Sequence, residues 1–422
     1  NKLDALSRGS IIYGNASAVT TVLTKGSANR VLTSDGTDIA WQDAAGGTDW
    51  QSVVTASTLT TVAGRGYPIN TTSNACTVTL PSSASVGDTI QIVDYAGTFA
   101  TNNITLTSSL KIEGGTLNKL LTTNREGVTI TYADATQGWV ATSGVNSGDQ
   151  ALDPTPYSAD MLIVAGGGAG GSLSNSGGGG AGGYRTSTQT LNGGTTYTIT
   201  VGDGGAAASG AVGNNGSDSS ISGSGVTTIT SAGGAGGGAG GGVTKDGLNG
   251  GSGGGSGNSG TGGSGNTPST SPSQGNNGGG GAGAPAYGAG GGGGASAVGA
   301  TGTTSKGGNG GAGTASSITG SSVTRAGGGG GSTDTTIGTG GAGGGGNGAA
   351  GGSGIAGTAN TGGGGGGGET SPQAGGAGGK GVVILSIPDA NYSGTTTGSP
   401  TVATGVSGKT ILTFNGSGSY TA

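Results

Sequence analysis

Residues 361–387 read TGGGGGGGETSPQAGGAGGKGVVILSI, with seven consecutive glycines, 362–368, upstream of an apolar, β-branched segment, 382–387. The apolar segment is a strand by composition. The glycine run is either unstructured filler or an element in its own right, and that choice decides the fold. Glycine supplies 111 of the 422 residues, a level that without a period normally marks a low-complexity, unfolded chain. Its distribution argues otherwise. Sixteen glycines precede Ala165 and six follow Gly381, so 89 fall in the 217 residues between, and a stretch so sharply bounded is a domain with its own composition.

Eleven runs are candidates for elements: residues 166–171, 177–183, 233–242, 250–257, 278–283, 288–294, 307–313, 327–331, 338–348, 362–368 and 375–381. Glycine costs about 1 kcal/mol per residue relative to alanine in an α-helix, and a pleated strand needs side chains to pack. The extended, left-handed helix with three residues per turn remains. Collagen confines glycine to every third position because one edge of each chain faces the axis. Continuous glycine instead suits a rod surrounded by other rods, where no edge tolerates a side chain and every N–H and C=O bonds to a neighbour. The ordering cost, roughly 1 to 2 kcal/mol per residue, is offset by backbone contact, inter-rod hydrogen bonds and Cα–H···O contacts.

The rest of the chain reads as β structure. In residues 1–47, short β-branched runs (10–13, 19–24, 30–34 and 38–42) alternate with glycine turns. They carry too little apolar surface to close a core alone, so Trp41 and its apolar neighbours are expected to meet copies from other chains in a homotrimeric shaft. An N-terminal arm packed on the next domain is the alternative. Residues 48–146 alternate apolar and polar residues with period two (CTVTLP, DTIQIVDY, NITLTSS, GVTITYAD, GWVATSG), as in a small β-domain with one buried face. Asp88, Asp94 and Asp134 are expected at solvated turns, Cys76 as a small buried residue, and Trp139 and Tyr95 in core or interchain contacts. Residues 147–159 form a linker held extended by Pro154 and Pro156. The glycine-rich domain spans 160–388, opening with DMLIVA, closing with GVVILSI and holding one further strand signal, TTYTITVG; residues 389–422 form a C-terminal β segment. The expected class is all-β plus polyglycine-II, with no significant α-helix.

Composition also excludes. The chain has no histidine, one cysteine and 8% charged residues, which starves most enzyme chemistry, disulfide formation and zinc binding of parts; no enzymatic activity and no cofactor or metal is expected. The net charge of −5 lacks any basic tract, against nucleic acid or an anionic membrane surface, and no apolar stretch is long enough to insert into a bilayer. G-x-G-x-x-G recurs by composition alone. The nearest approach to a phosphate loop, AGGAGGKGV, has Ala374 at the first position and Gly381 where the hydroxyl belongs. Asn1 is expected to follow further chain.

The segments MLIVAGGGAGG, GGGGAGGYR, TYTITVGDGG, GGAGTASSITGSSVTRAGGGGG and GGKGVVILSIP resemble the glycine-rich terminal domains of bacteriophage tail-fibre and receptor-binding proteins of the marine phage or cyanophage type, over residues 160–388. GSIIYGN and VLTSDGTDIAWQ are similar to phage fibre shaft repeats. The resemblance implies a sandwich of polyglycine-II rods whose apical loops recognise a host receptor, a surface glycan or an outer-membrane protein. It also implies an extracellular virion fibre joined to an upstream fibre or baseplate component. TILTFNGSGSYTA departs from that pattern and is expected to pack back on the base or shaft. A purely structural fibre or decoration protein is the alternative reading. Counting rods back from Val382 places residues 369–373, 332–337, 295–306 and 258–277 at the tip. Counting forward from Ala165 adds 172–176, and 284–287 and 314–326 then face the base. Glu369, Gln373, Asp334, Lys306, Asn276 and Asn277 are the receptor-binding candidates on those loops.

Overall fold

A computed structural model describes residues 6–27, 30–34, 37–43, 47–144, 153–241, 244–285, 287–369 and 373–422. Positions 147–152 of the expected linker and 370–372 of the expected tip loop lie outside the described residues. The fold is all-β, and the helical structure among the described residues is one short turn, Asp389–Asn391. The chain divides into two compact units, residues 1–153 and 154–422.

The first unit begins with two antiparallel hairpins, Ile11–Gly14 with Thr20–Leu23 and Arg30–Ser34 with Ile39–Asp43. Both are two-stranded, and isolated two-stranded ribbons are marginal in water. Ile12, Val22, Val31 and Leu32 stand exposed on them. Trp41 makes a contact within the chain, its Nε1 donating to the Thr24 carbonyl at 2.7 Å.

Beyond Gly47 the chain winds between two sheets. Asp49–Trp50, Arg65–Ile69 and Thr89–Asp94 stack in parallel on one side, and Thr58–Thr60, Cys76–Thr79 and Ile104–Thr107 stack in parallel on the other. Successive strands therefore occupy alternate sheets, giving a coil of stacked turns completed by antiparallel strands Lys119–Leu121, Gly127–Asp134 and Gly138–Gly144. The period-two pattern buries one face of each strand: Cys76 and Val78, Ile90 and Ile92, Ile104 and Leu106, and Val128 and Ile130 join Trp139 and Phe99 in one core. Tyr95 is exposed and is no part of that core. Asp88 and Asp134 sit at turns, accepting from the Ser85, Thr136 and Gln137 N–H groups. Asp94 does not. It is buried, and its carboxylate accepts from the N–H groups of Gly97, Phe99 and Arg125 at 2.8–3.2 Å, pinning two loops together.

The second unit carries a β-sandwich. One sheet is ordered Tyr184–Leu191, Tyr157–Val164, Val382–Pro388, Lys409–Phe414, Thr401–Val406; the other Ile229–Ser231, Ser219–Ser222, Thr196–Thr200, Gly418–Thr421, Thr396–Thr397. Neighbouring strands in both are antiparallel. Met161, Ile163, Val383, Leu385, Leu412 and Phe414 from the first sheet bury against Tyr197, Ile199, Ile221 and Tyr420 from the second, each fully buried aliphatic contributing about 1.5–3 kcal/mol. The alternate residues of the central strands, Leu162, Val164, Val382 and Ile384, are buried too, which is why MLIV and VVIL are continuous apolar runs. Two expected boundaries move. Tyr157, Ser158 and Ala159 belong to the first strand of the sandwich rather than to a linker, because they continue its register against Leu191, Thr190 and Gln189. Residues 389–422 do not stand apart, because their strands complete both sheets.

From this sandwich project the glycine rods, and rod 165–172 shows their rule. Its N–H groups turn to three neighbours in succession, at 2.8–3.1 Å: Ala165, Gly168 and Gly171 donate to Gly183, Gly180 and Gly177; Gly166, Ala169 and Ser172 to Ser217, Asn214 and Ala211; Gly167 and Gly170 to Gly379 and Gly376. Its carbonyls face three others, accepting from Gly234 and Gly237, from Gly365 and Gly368, and from Gly205. A repeat of three for donors and for acceptors is the threefold screw of an extended glycine helix, and six neighbours make the packing hexagonal. The run 362–368 obeys it as well: Gly364 and Gly367 donate to Gly327 and Gly330, Gly365 and Gly368 to Gly168 and Gly171, and Gly366 to Ile355, while its carbonyls accept from three further rods. The run is a rod inside a lattice.

Two features depart from the expected set of rods. Gly343 and Gly344, with φ of +99° and +97°, turn the chain inside the run 338–348, and Gly348 N–H donates back to the Gly338 carbonyl, so that run is two rods. Other rods carry no glycine run at all. In 211–217, Gly213 and Gly216 alone are glycine and donate into rod 232–241, and the pairs Gly299/Gly302 and Gly354/Gly357 repeat the spacing. These are edge rods, with one side against the lattice, so the collagen-like triplet applies to them and not to the interior.

A Cβ added at Gly364 would collide with the Gly179 carbonyl oxygen, whereas one at Gly352 meets nothing. Gly364→Ala is expected to cost about 3 kcal/mol or more by overpacking, while Gly352→Ala stays within about 1 kcal/mol of the parent. Paired denaturant melts check this; equal midpoints would show that the lattice dilates to accept a methyl group.

Candidate recognition surface at the rod ends

Rod 165–172 leaves the strand Tyr157–Val164, and rod 176–183 returns into Tyr184–Leu191, so residues 173–175 lie at the end away from the sandwich. Hydrogen bonds place the other connections. Ser332 N–H donates to the Ser176 carbonyl, Asn258 N–H to the Asn175 carbonyl, Ala289 N–H to the Ser332 carbonyl, and Glu369 N–H to the Gly352 carbonyl. The Thr335 hydroxyl donates to the Ser305 carbonyl at 2.7 Å. The far end thus gathers the turns at 258–260, 303–306, 333–336 and 350–352, together with Ala284, Pro285, Tyr287, Glu369 and Gln373. Tyr287, expected to face the base, is instead 39% exposed in this group.

The six candidate residues do not all meet. Asp334 and Gln373 are exposed at the far end, and Gln373 Oε1 accepts from the Ser353 hydroxyl at 2.9 Å. Lys306, half-buried, pairs through its backbone with Thr336. Glu369 is at the same end, but inside it. Asn276 and Asn277 lie at the opposite, sandwich-side end. Asn276 Nδ2 donates to the carbonyls of Gly294 and Ala295, both at 3.0 Å, and Asn277 Oδ1 accepts from Gly265 N–H at 2.9 Å. The segment 258–277 is a far-end turn, an edge rod and then a sandwich-end loop, 266–274, whose Gln274 carbonyl accepts from Tyr184 N–H. Segment 295–306 likewise contains the edge rod with Gly299 and Gly302. Each uncounted edge rod reversed the direction of the tally between the two ends.

Edge asparagines and aspartates have a structural role that composition did not reveal. Asn215 and Asp218 Oδ1 accept from Gly236 and Gly233 N–H, both at 2.8 Å, and Asp246 and Asn249 Oδ1 from Thr261 and Ser264 N–H, both at 2.7 Å. The spacing of three in each pair is the rod's own repeat. At the lattice edge the next rod's carbonyl is missing, and the side-chain oxygen takes its place. The Thr261 N–H and hydroxyl hold the Asp246 carboxyl below its ordinary range.

Glu369 is 1% exposed. Its Oε2 accepts from Asn175 N–H at 3.1 Å, and Ser332, which also contacts it, donates its hydroxyl to the Gly368 carbonyl at 2.9 Å. Burial first, and then a side-chain hydrogen bond with the Asp334 carboxyl, push the Glu369 carboxyl up to about 7, opposed by the Ser332 hydroxyl beside it and the N–H of Asn175. Elsewhere in the unit, a groove of about 590 Å³ runs over the sheet face, lined by Asp160, Thr188, Ser316, Ser386, Val406 and Lys409. Among the described residues no three His, Cys, Asp or Glu side chains converge, and no helix is long and apolar enough to cross a membrane.

A lattice of extended glycine rods seated on a β-sandwich, with its connections collected at two ends, defines the class: a glycine-rich rod protein. A family described as "Glycine-rich domain" matches residues 142–388, over half of the chain, and the chain belongs to that family. No curated protein matches it.

Removing one edge acceptor leaves a lattice N–H without its partner, at a cost of about 1 kcal/mol. Asn215→Ala and Asn249→Ala are each expected to lose that amount in denaturant melts and to add when combined. No loss in either variant would mean that water replaces the side-chain oxygen.

Proposed function

We propose that the chain is part of a virion tail fibre, a bacteriophage adhesin that recognises a host-cell surface receptor through the far-end loops of its glycine-rod lattice. The observation that carries this reading is a division of labour within one unit. The interior rods admit little besides glycine, alanine and serine, so chemical variety collects at the edges and in the connections, and Asp334, Lys306, Gln373 and Tyr287 gather at the end away from the sandwich. A rigid lattice presents such loops at low ordering cost on binding. The ligand class is a bacterial surface glycan or an outer-membrane protein, and no catalysis is assigned. Asn276 and Asn277 leave the set because their side chains bridge backbone segments at the other end.

Replacing 303–306 and 333–336 by other loops of the same length is expected to change adsorption to host cells while moving the unfolding midpoint little. Unchanged adsorption with both loops exchanged would favour a purely structural fibre, the second reading, which the apolar hairpins of the first unit also fit.

Those hairpins carry the proposed assembly. Ile12, Val22, Val31 and Leu32 are exposed on ribbons too small to hold a core, and a homotrimer of the shaft would bury them. Sedimentation equilibrium is expected to return three copies, and Val22→Asp with Leu32→Asp to shift it to one. A monomeric parent chain would remove the shaft from the proposal.

A further inference from the structure

The first unit carries an aromatic side chain that its own core does not use. Trp50, on the edge strand Asp49–Trp50, is 53% exposed, and its indole lies over the backbone of Gly66 on the neighbouring strand. A Cβ at position 66 would come within 2.6 Å of the indole Cε3, and the φ of Gly66 lies outside the left-handed region. Close approach of the ring, and not a turn, is therefore what calls for glycine there.

Strand register extends this pair into a row across the sheet. Trp50 pairs with Gly66, Gly66 with Gln91, Gln91 with Thr129, and Thr129 with Ser143. Tyr67, Ile90, Val128 and Ile130, which flank the row along the strands, point into the core, so by alternation the row stands on the outer face. With strands about 4.8 Å apart, it is about 19 Å long. Trp50, Gln91, Thr129 and Ser143 line one groove of about 240 Å³ whose lining holds no charged residue. The Gln91 amide and the Thr129 and Ser143 hydroxyls form no hydrogen bond among the described residues. One step along the same face, by contrast, the Thr131 and Thr142 hydroxyls satisfy each other at 2.8 Å.

An exposed aromatic face, an amide and two hydroxyls, aligned and unpaired, match the chemistry of a sugar chain. Each ring of such a chain offers an apolar C–H face for stacking and a rim of hydroxyls that donate and accept. Asp49 and Arg65, the charged residues next to Trp50 and Gly66 in sequence, pair with one another at 3.4 Å, so a neutral glycan suits the row better than an acidic one. We propose that this row binds a neutral, extended oligosaccharide, stacked on Trp50 and hydrogen-bonded along Gln91, Thr129 and Ser143. A second copy of the chain docked on the indole would bury the unpaired amide and hydroxyls at a cost, whereas a sugar satisfies them. The strip lies on the first unit and uses none of the far-end loops.

The test is affinity electrophoresis of the full chain in native gels containing dextran, mannan, galactan or laminarin, all neutral polysaccharides, beside a polymer-free gel. Retardation by at least one polymer is expected, and Trp50→Ala and Gln91→Ala should each raise the apparent Kd about tenfold or more. Gly66→Ala should weaken binding as well, by lifting the indole off the sheet. Exchange of 303–306 and 333–336 should leave retardation unchanged; its loss there would move the ligand to the far end and overturn the strip. Retardation by none of the polymers overturns it, as does retardation that Trp50→Ala leaves intact. Sedimentation of Trp50→Ala is the companion measurement: the parent's copy number supports the strip, and a smaller one overturns it by making Trp50 an interchain contact.

Discussion

Inside the rod lattice every peptide group must find its partner on another rod, at a spacing that leaves room for a Cβ at only a few positions such as buried Ala169, Ala181, Ala235 and Ala289, and the remainder of the second unit is arranged around that requirement. An interior rod has six neighbours, three taking its N–H groups and three supplying donors to its carbonyls. Unpaired buried peptide groups are too costly to leave, so the lattice is satisfied as a whole. This is cohesion from backbone, in a lattice whose interior holds almost no side chains. Glycine's large ordering cost is tolerated because each ordered residue gains hydrogen bonds and close contacts on all sides.

The lattice then dictates what surrounds it. Where a rod faces solvent, side chains return at two positions in three, and some of their oxygens substitute for the absent carbonyls, as at Asn215 and Asp218. Where the lattice starts, the chain needs an anchor that fixes direction and spacing. The sandwich provides it, since Tyr157–Val164 runs directly into a rod, Val382–Pro388 runs directly out of one, and both strands are locked by apolar packing. Where rods end, the constraint lapses and loops carry the remaining chemistry. The enclosed Glu369 is the exception, a charge-bearing group at the end of a glycine rod with its carboxyl between other connections.

Much of the far end was legible in the sequence. Glu369 and Gln373 fall where the tally of rods puts them, because the runs on either side of them, 362–368 and 375–381, are so rich in glycine that they are unmistakable as rods. Asp334 and Lys306 fall there too, since the hidden turn in 338–348 and the overlooked edge rod with Gly354 and Gly357 are two reversals that cancel. Asn276 and Asn277 were misplaced for a physical reason: an edge rod needs glycine only once per turn, so AVGATGTT and NSGTGGSGN do not look like glycine runs. A G-x-x-G spacing beside a run is the signal that would have found them. The turn at Gly343 and Gly344 left no such trace, since glycine is equally at home in a rod and in a left-handed turn.

What the order of amino acids dictates is period. Alternation in residues 48–146 required strands with one buried face, continuous apolar MLIV and VVIL required strands covered on both, and unbroken glycine required a rod with neighbours all round. These are local consequences of side-chain size and direction, so they hold without knowledge of partners. The identity of those partners came only with the folded chain. Parallel stacking of Cys76–Thr79 on Ile104–Thr107, the use of residues 389–422 to finish both sheets, and the enclosure of Asp94 and Glu369 all depend on contacts between distant segments. A residue's period tells which way it faces; what it faces is set by how the whole chain returns on itself.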